Sequence, residues 1–142
     1  MPRQIIAIPN TVRHTCSINV RITDINYGNH LGNDALLGLI HEARLQLLSS
    51  IGCSELSFFD VALIMGDVAI NFKGESFYND LLQFEMEFND LSRVGFTIYY
   101  KITNQNKRLI AEARTGMICF DYSERKVVSV PNAFLEFISA IK

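Results

Sequence analysis

The chain has no tryptophan, only three prolines and only three cysteines in 142 residues. Cys16, Cys53 and Cys119 are odd in number and far apart. No Cys-x-x-Cys pair or Cys/His cluster accompanies them, so neither a disulfide framework nor a metal site is encoded. An excess of one charge is also missing. Thirteen basic against fifteen acidic residues leave a net charge of −2 with no long basic run, which argues against a nucleic-acid groove. No apolar stretch approaches the roughly 18 residues a membrane span needs. The opening MPRQIIAIPNTVRHT lacks the apolar core and cleavage site of a secretion signal, so a cytoplasmic protein is expected. There is no internal repeat, low-complexity tract, P-loop or dinucleotide fingerprint.

What remains is ordinary globular composition, 49% apolar and 20% charged. The length, residues 1–142, suits one domain. A chain of this size buries roughly 68–70% of its unfolded surface and needs no covalent staple.

Strict alternation over 15–23 puts Cys16, Ile18, Val20 and Ile22 on one face of an expected strand. The segment 24–34, dense in Asn, Asp and Gly, reads as an irregular loop. Residues 34–50 read as one long helix, with Leu36, Leu39, Ile40, Ala43 and Leu47 on its apolar face. Asn33 or Asp34 is its expected cap, and Ile51-Gly52 its end. Four strands are expected over 61–73, 82–89, 93–103 and 108–120, then a short strand at 126–130. Pro131 opens a terminal helix that runs to the last residue. One apolar helix beside one long antiparallel sheet makes a two-layer α+β domain, with the helix on the concave face. Such a sheet leaves edges free, so a homodimer paired edge to edge is expected.

Three stretches carry a family likeness. The first is Asp24-Ile25-Asn26-Tyr27-Gly28-Asn29-His30-Leu31-Gly32-Asn33. The second is His41-Glu42-Ala43-Arg44. The third is a sheet pattern made of Asn71-Phe72-Lys73, Ser92-Arg93-Val94-Gly95-Phe96 and Leu109 to Arg114. In this order the chain resembles the hotdog-fold acyl-CoA thioesterases of the 4-hydroxybenzoyl-CoA thioesterase type. There an Asp-x-x-Gly-His-Val-Asn-Asn segment leads into a helix bearing Glu-Ala-Arg. The resemblance implies a hotdog fold, a long central helix wrapped by about five to six mostly antiparallel strands. It implies hydrolysis of acyl-CoA or acyl-carrier-protein thioesters in a dimer or a dimer of dimers. No metal or resident cofactor is expected, coenzyme A arriving as part of the substrate. With His30 set on the family's His, Asn26 stands where many members carry a catalytic Asp, and an amide cannot ionise.

Thioester hydrolysis needs an activated water or carboxylate, donors for the developing oxyanion, and a groove for the acyl chain and pantetheine. A Gly-rich loop entering a helix supplies the donors, because first-turn amides and the helix dipole converge there. The expected catalytic set is His30, Asp24, Asn26 and Glu42. His30 is an acid/base or a cap, Asn26 a water positioner or a turn residue, and Asp24 a base or a plain loop acid. Glu42, by resemblance, is a nucleophile or base and otherwise a solvated helix acid. Tyr27, Gly28, Asn29, Gly32, Asn33 and Arg93 form the expected substrate-binding set, with Asn33 also suited to capping the helix. Arg93, Lys73, Lys107 and Arg108 are single charges for CoA phosphates, or scattered surface cations. Arg44 falls in the apolar arc and needs a partner, with Glu42, Glu112 and Asp60 as candidates. His14 and His41 read as surface residues. Phe58, Phe59, Ile64 and Met65 are candidates for an acyl wall. Asp24-x-Asn26…His30 also looks like the Asp-x-Asn-Pro-x-His segment of hotdog hydratases or dehydratases, with the His one residue too far and the Pro absent. Asn26 itself motivates a third reading, a non-catalytic acyl-CoA-binding module.

Overall fold

The computed structural model describes residues 4–140. In chain order these form β1 (His14–Asn19), a 3-10 turn (Ile22–Asp24), α1 (Asn33–Ser50) and β2 (Ala62–Phe72). Then come β3 (Leu81–Asn89), β4 (Gly95–Thr103), β5 (Leu109–Asp121), β6 (Lys126–Val127) and α2 (Asn132–Ala140). The last two residues of the expected terminal helix lie outside the described residues. The sheet order is β1-β3-β4-β5-β2, with β6 beside β5, and every pairing is antiparallel. Among the described residues no helix is long and apolar enough to cross a membrane.

Period-two alternation explains the inner face. Leu82, Phe84, Met86 and Phe88 of β3, Phe96, Ile98, Tyr100 and Ile102 of β4, and Ala111, Ala113, Met117 and Cys119 of β5 are all buried. They close on α1, whose Leu36, Leu39, Ile40, Ala43, Leu47 and Leu48 join the same core. Each such leucine stabilises the fold by roughly 1.5–3 kcal/mol. The one buried polar pair among them is satisfied, since the Tyr100 hydroxyl and Thr115 Oγ1 lie 2.8 Å apart.

Several expectations change. β1 stops at Asn19, and Ile22 is 69% exposed instead of facing the core. The chain turns there because the Arg21 amide donates to Asp24 Oδ2 at 2.8 Å, ending the alternation. α1 begins at Asn33 with Gly32 as its N-cap, so neither Asn33 nor Asp34 caps it. The C-terminal end is as expected, with Gly52 at φ 76°. Only Lys126 and Val127 of the expected last strand pair with the sheet.

Glu87 belongs by alternation to the outer face yet is buried. It accepts from Thr11 Oγ1 at 2.8 Å and Arg13 Nε at 3.2 Å, because the segment ahead of β1 lies over this face. Asn71 of β2 ties the start of that segment down, donating to the Gln4 carbonyl at 2.7 Å. At one end of the sheet, Phe134 of α2 packs on Phe58, Phe88 and Phe96, with ring centroids 4.8–5.2 Å apart.

Arg44 is buried, as its place in the apolar arc requires, but its partner is none of the three expected acids. Its Nε donates to Glu55 Oε2 at 2.9 Å, and His41 Nε2 meets Glu55 Oε1 at 2.9 Å. Burial alone would raise the Glu55 pKa. The hydrogen bonds and charges of His41 and Arg44 outweigh burial and hold it below the ordinary 4.5. A depressed carboxyl stabilises the fold fully above its ordinary value, and that contribution is lost as pH falls through the lower folded value. Glu55→Gln is therefore expected to cost stability at neutral pH and to flatten the acid limb of a stability–pH profile. Equal acid slopes for the two proteins in urea melts would contradict this pairing.

Phe59 and Asp60 form a two-residue turn with φ of 48° and 72°, the mirror-image geometry that usually carries Asn-Gly. Phe59 stays there because its ring packs on Phe58, at 5.0 Å, and on Phe134, at 5.8 Å. Exposed Asp60 has no comparable packing. Asp60→Gly is expected to stabilise by about 0.5–1 kcal/mol, the left-handed penalty less glycine's unfolded-state entropy. The melting temperature should rise by roughly 2–4 °C, and a fall would show that the carboxylate matters more than the backbone.

Candidate active site

The loop that feeds α1 is held by its own backbone. Ile25 and Leu31 form an antiparallel bridge, and the Asn26 amide donates to the His30 carbonyl at 2.9 Å. The Gly32 amide donates to the Asp24 carbonyl at 3.0 Å, and the Leu31 amide to the Ser76 carbonyl at 2.8 Å. Thus the loop is bound both to itself and to the segment after β2, which leaves few of its backbone groups unpaired. At its tip, Asn26 Oδ1 accepts from the Gly28 amide at 2.9 Å, and Asn29 takes a left-handed φ of 65° that asparagine tolerates.

Asp24 anchors the base of this loop. Besides the Arg21 amide, its carboxylate accepts from Arg21 Nη2 at 3.1 Å and Nε at 3.2 Å. The Arg21 side chain is largely exposed, so solvent weakens the charge pairing and the backbone bond does most of the holding. Asp24 is therefore engaged with Arg21.

His30 lies beside the start of α1. Its Nδ1–H donates to the Leu31 carbonyl at 3.2 Å. A carbonyl only accepts, so the proton belongs on Nδ1 and Nε2 is left as an acceptor. A Cβ on Gly28 would sit 3.2 Å from His30 Nε2 and 3.3 Å from Asn26 Oδ1, so glycine lets these two side chains approach the loop. No side chain caps α1. Its first-turn amides, at Asn33, Asp34 and Ala35, precede the first intrahelical bond, made by the Leu36 amide to the Gly32 carbonyl at 3.0 Å. His30, Leu31, Asn33 and Leu36 line a recess of about 440 Å³ whose other wall includes Lys73, Ser76 and Arg108. Lys73 Nζ is 4.0 Å from Glu112 Oε1. The arrangement brings His30, Asn33 of the uncapped helix start and two cations to one space.

Other expected residues stand elsewhere. Tyr27 is wholly exposed at the loop tip. Glu42 is exposed on the flank of α1 near β1, where it accepts from Gln46 Nε2 at 2.9 Å, and it does not line the recess. Arg93 lies between β3 and β4, its carbonyl accepting the Val130 amide at 2.8 Å. That is the far end of nine-residue strands from the loop, about 30 Å away in one protomer. Phe58 and Phe59 belong to the aromatic cluster at that far end. Ile64 and Met65 line a different recess, beside α1. Burial pushes the Cys119 thiol up to about 11, and burial with the Glu42 charge does the same to Cys16. Neither is a thiolate nucleophile at neutral pH. Among the described residues no group of three or more His, Cys, Asp or Glu is placed to hold a metal ion.

Sequence reasoning missed Ser76 and Glu55. Both lie in loops whose return to α1 leaves no periodic signal. A buried arginine does announce that some acid must meet it, without saying which.

Residues 20–138 match the thioesterase-like superfamily. The chain belongs to that family. Solved structures agree. The 1,4-dihydroxy-2-naphthoyl-CoA thioesterase from Synechocystis is 25% identical, with a TM-score of 0.79 over 89% of this chain and 96% of that one. A DHNA-CoA thioesterase from Staphylococcus aureus is 20% identical, with a TM-score of 0.76 over 89% of this chain and 86% of that one. A gentisyl-coenzyme A thioesterase is 14% identical, with a TM-score of 0.76 over 86% and 99%. No curated protein matches the sequence. The antiparallel sheet around α1 is thus the hotdog fold, and the thioesterase is a thioester hydrolase.

Because Asp24 braces the loop, Asp24→Asn, which keeps an acceptor for the Arg21 amide, is expected to retain thiol release within about tenfold of the parent. Asp24→Ala should lower the melting temperature by several degrees and impair turnover through misplacement. A loss of roughly 10²–10⁴ in Asp24→Asn with an unchanged melting curve would instead make Asp24 the base.

Proposed function

We propose that this thioesterase hydrolyses acyl-CoA thioesters in the recess between His30, the first turn of α1 and segment 73–76. The observation that supports the reading is that His30 and the start of α1, which no side chain caps, line one recess. A water donates its proton to His30 Nε2 as its oxygen bonds the thioester carbon. The oxyanion is held by the first-turn amides of α1, where the helix dipole also favours negative charge. Asn26 and Asn33 orient water or carbonyl. The carbon–sulfur bond then breaks, and His30 returns the proton to the leaving thiolate. Lys73 and Arg108 receive CoA phosphate, and Gly28 and Gly32 let the substrate approach the backbone. Coenzyme A is half of the substrate, and no resident metal or redox group takes part. Three free thiols suit a cytoplasmic setting.

The active unit is a homodimer paired through β2. This edge strand is eleven residues long and exposes Met65, Val68 and Phe72. Antiparallel self-pairing would set the Arg93 end of one protomer beside the loop of the other, which restores Arg93 as a CoA contact. Asn26 in place of an acid keeps a non-catalytic acyl-CoA-binding reading in the test.

Purified protein should release thiol from acyl-CoAs, and His30→Gln should lose roughly 10²–10⁴ of kcat. Saturable acyl-CoA binding without turnover would select the binding module. Loss of an enoyl-CoA chromophore without thiol release would select a hydratase. Light scattering should report a dimer, and Val68→Lys a monomer.

A further inference from the structure

Three separate segments wall the recess at His30. They are the loop before α1, residues 73–76 after β2, and Arg108 in the turn between β4 and β5. That turn is closed on itself, since the Arg108 amide donates to Asn104 Oδ1 and the Asn104 amide to the Arg108 carbonyl, each at 3.0 Å. Side-chain hydrogen bonds from two of these walls converge on Asp80, which does not itself line the recess. Its Oδ2 accepts from Ser76 Oγ at 3.0 Å and from the Phe77 amide at 2.9 Å. Its Oδ1 accepts from Gln105 Nε2 at 3.0 Å, and Gln105 Oε1 accepts from the Leu81 amide at 3.0 Å. Burial alone would raise the Asp80 pKa. The bonds from Gln105, the Phe77 amide and Ser76 outweigh burial and hold it below the ordinary 3.8. Ser76 is 2% exposed, and its carbonyl takes the Leu31 amide at 2.8 Å. The Leu31 carbonyl in turn takes the His30 ring N–H. One chain of hydrogen bonds thus runs from the Arg108 turn through Asp80 and Ser76 to His30.

We propose that Asp80 is a positioning residue that sets the distance between the His30 wall and the Arg108 wall of the recess. It holds Ser76, and through it the backbone beside His30, on one oxygen, and the Arg108 turn on the other. An ionised carboxylate only accepts, so it can take all three donors at once. An amide has a single acceptor oxygen, and its NH2 would face the NH2 of Gln105. The charge of Asp80 by itself disfavours a phosphate near Arg108, so removing that charge alone would tighten CoA binding. Loss of positioning has the opposite sign. The proposal rests on the reading of this recess as the acyl-CoA site.

The test measures CoA affinity by calorimetry, and kcat and KM by thiol release from the acyl-CoA that the parent turns over fastest. Asp80→Asn keeps the bonds from Ser76 and Phe77 and loses that from Gln105. It should weaken CoA and raise KM by about threefold to tenfold, with kcat within about threefold of the parent. Adding Gln105→Glu supplies a carboxylate that accepts from both the Leu81 amide and the new amide at position 80. Affinity and KM should then return to within about twofold of the parent. Asp80→Ala loses all three bonds, and kcat should also fall by about tenfold or more as the backbone beside His30 shifts. Where Asp80→Ala does not fold by circular dichroism, the other two variants decide alone. Unchanged or tighter CoA binding in Asp80→Asn overturns the proposal, as does weakened binding that Gln105→Glu does not restore. A folded Asp80→Ala with the parent's kcat overturns it too. A parent that binds CoA but releases no thiol overturns the thioesterase reading alone, and the affinities still decide the role of Asp80. A parent that neither binds CoA nor releases thiol overturns both.

Discussion

The functional end of this molecule depends on one backbone hydrogen bond, the Gly32 amide donating to the Asp24 carbonyl at 3.0 Å. α1 is immobilised by its apolar face, buried in the curve of the sheet. Its first turn therefore cannot shift to meet a substrate, and the loop must come to it. The Asp24–Gly32 bond closes that loop on itself, and the Leu31–Ser76 bond ties it to the neighbouring segment. With both made, His30 can commit one ring nitrogen to its own backbone neighbourhood and keep the other open. A side-chain cap on α1 would consume the amides that such a site needs. Glycine at the N-cap leaves them available.

The two ends of the sheet divide the labour. At one end a cluster of phenylalanines from β3, β4, α2 and the turn after α1 closes the core with rings. At the other end, polar loops converge and the backbone supplies most of the fixed donors and acceptors. Between them, the buried Arg44–Glu55 pair fastens the chain after α1 to the middle of the helix. An ion pair in this position adds little net stability compared with apolar packing, yet it fixes where Glu55 and its loop must lie.

Much of the fold was legible because alternation is a local consequence of the pleat. The inner residues of β3, β4 and β5 could be read off at period two, and α1 at its helical period. The same logic failed at Ile22, where the Arg21–Asp24 turn broke the strand, and at Glu87, where a distant segment covered a face that alternation assigns to water. It failed for the partner of Arg44 for a similar reason. Glu55 is eleven residues beyond Arg44, past the end of the helix, and only the turn at Gly52 brings it back. The loop from Asp24 to Asn33 was recognisable as the candidate site through its composition and family likeness. Which of its side chains face the recess was not, since Asp24 pairs with Arg21 while His30 lines the recess.

The sequence by itself determined the class of the structure and pointed to a candidate site, because periodicity, turn residues and the Asn/Gly/His loop act over a few neighbouring positions. The tertiary structure decided which residues share a space. It placed Lys73 and Arg108 opposite His30, moved Glu42 to another flank, and carried Arg93 to the far end of the sheet. The physical reason is the antiparallel pairing. Each turn reverses the chain, so neighbours in space are set by strand order and register, and no local pattern encodes either.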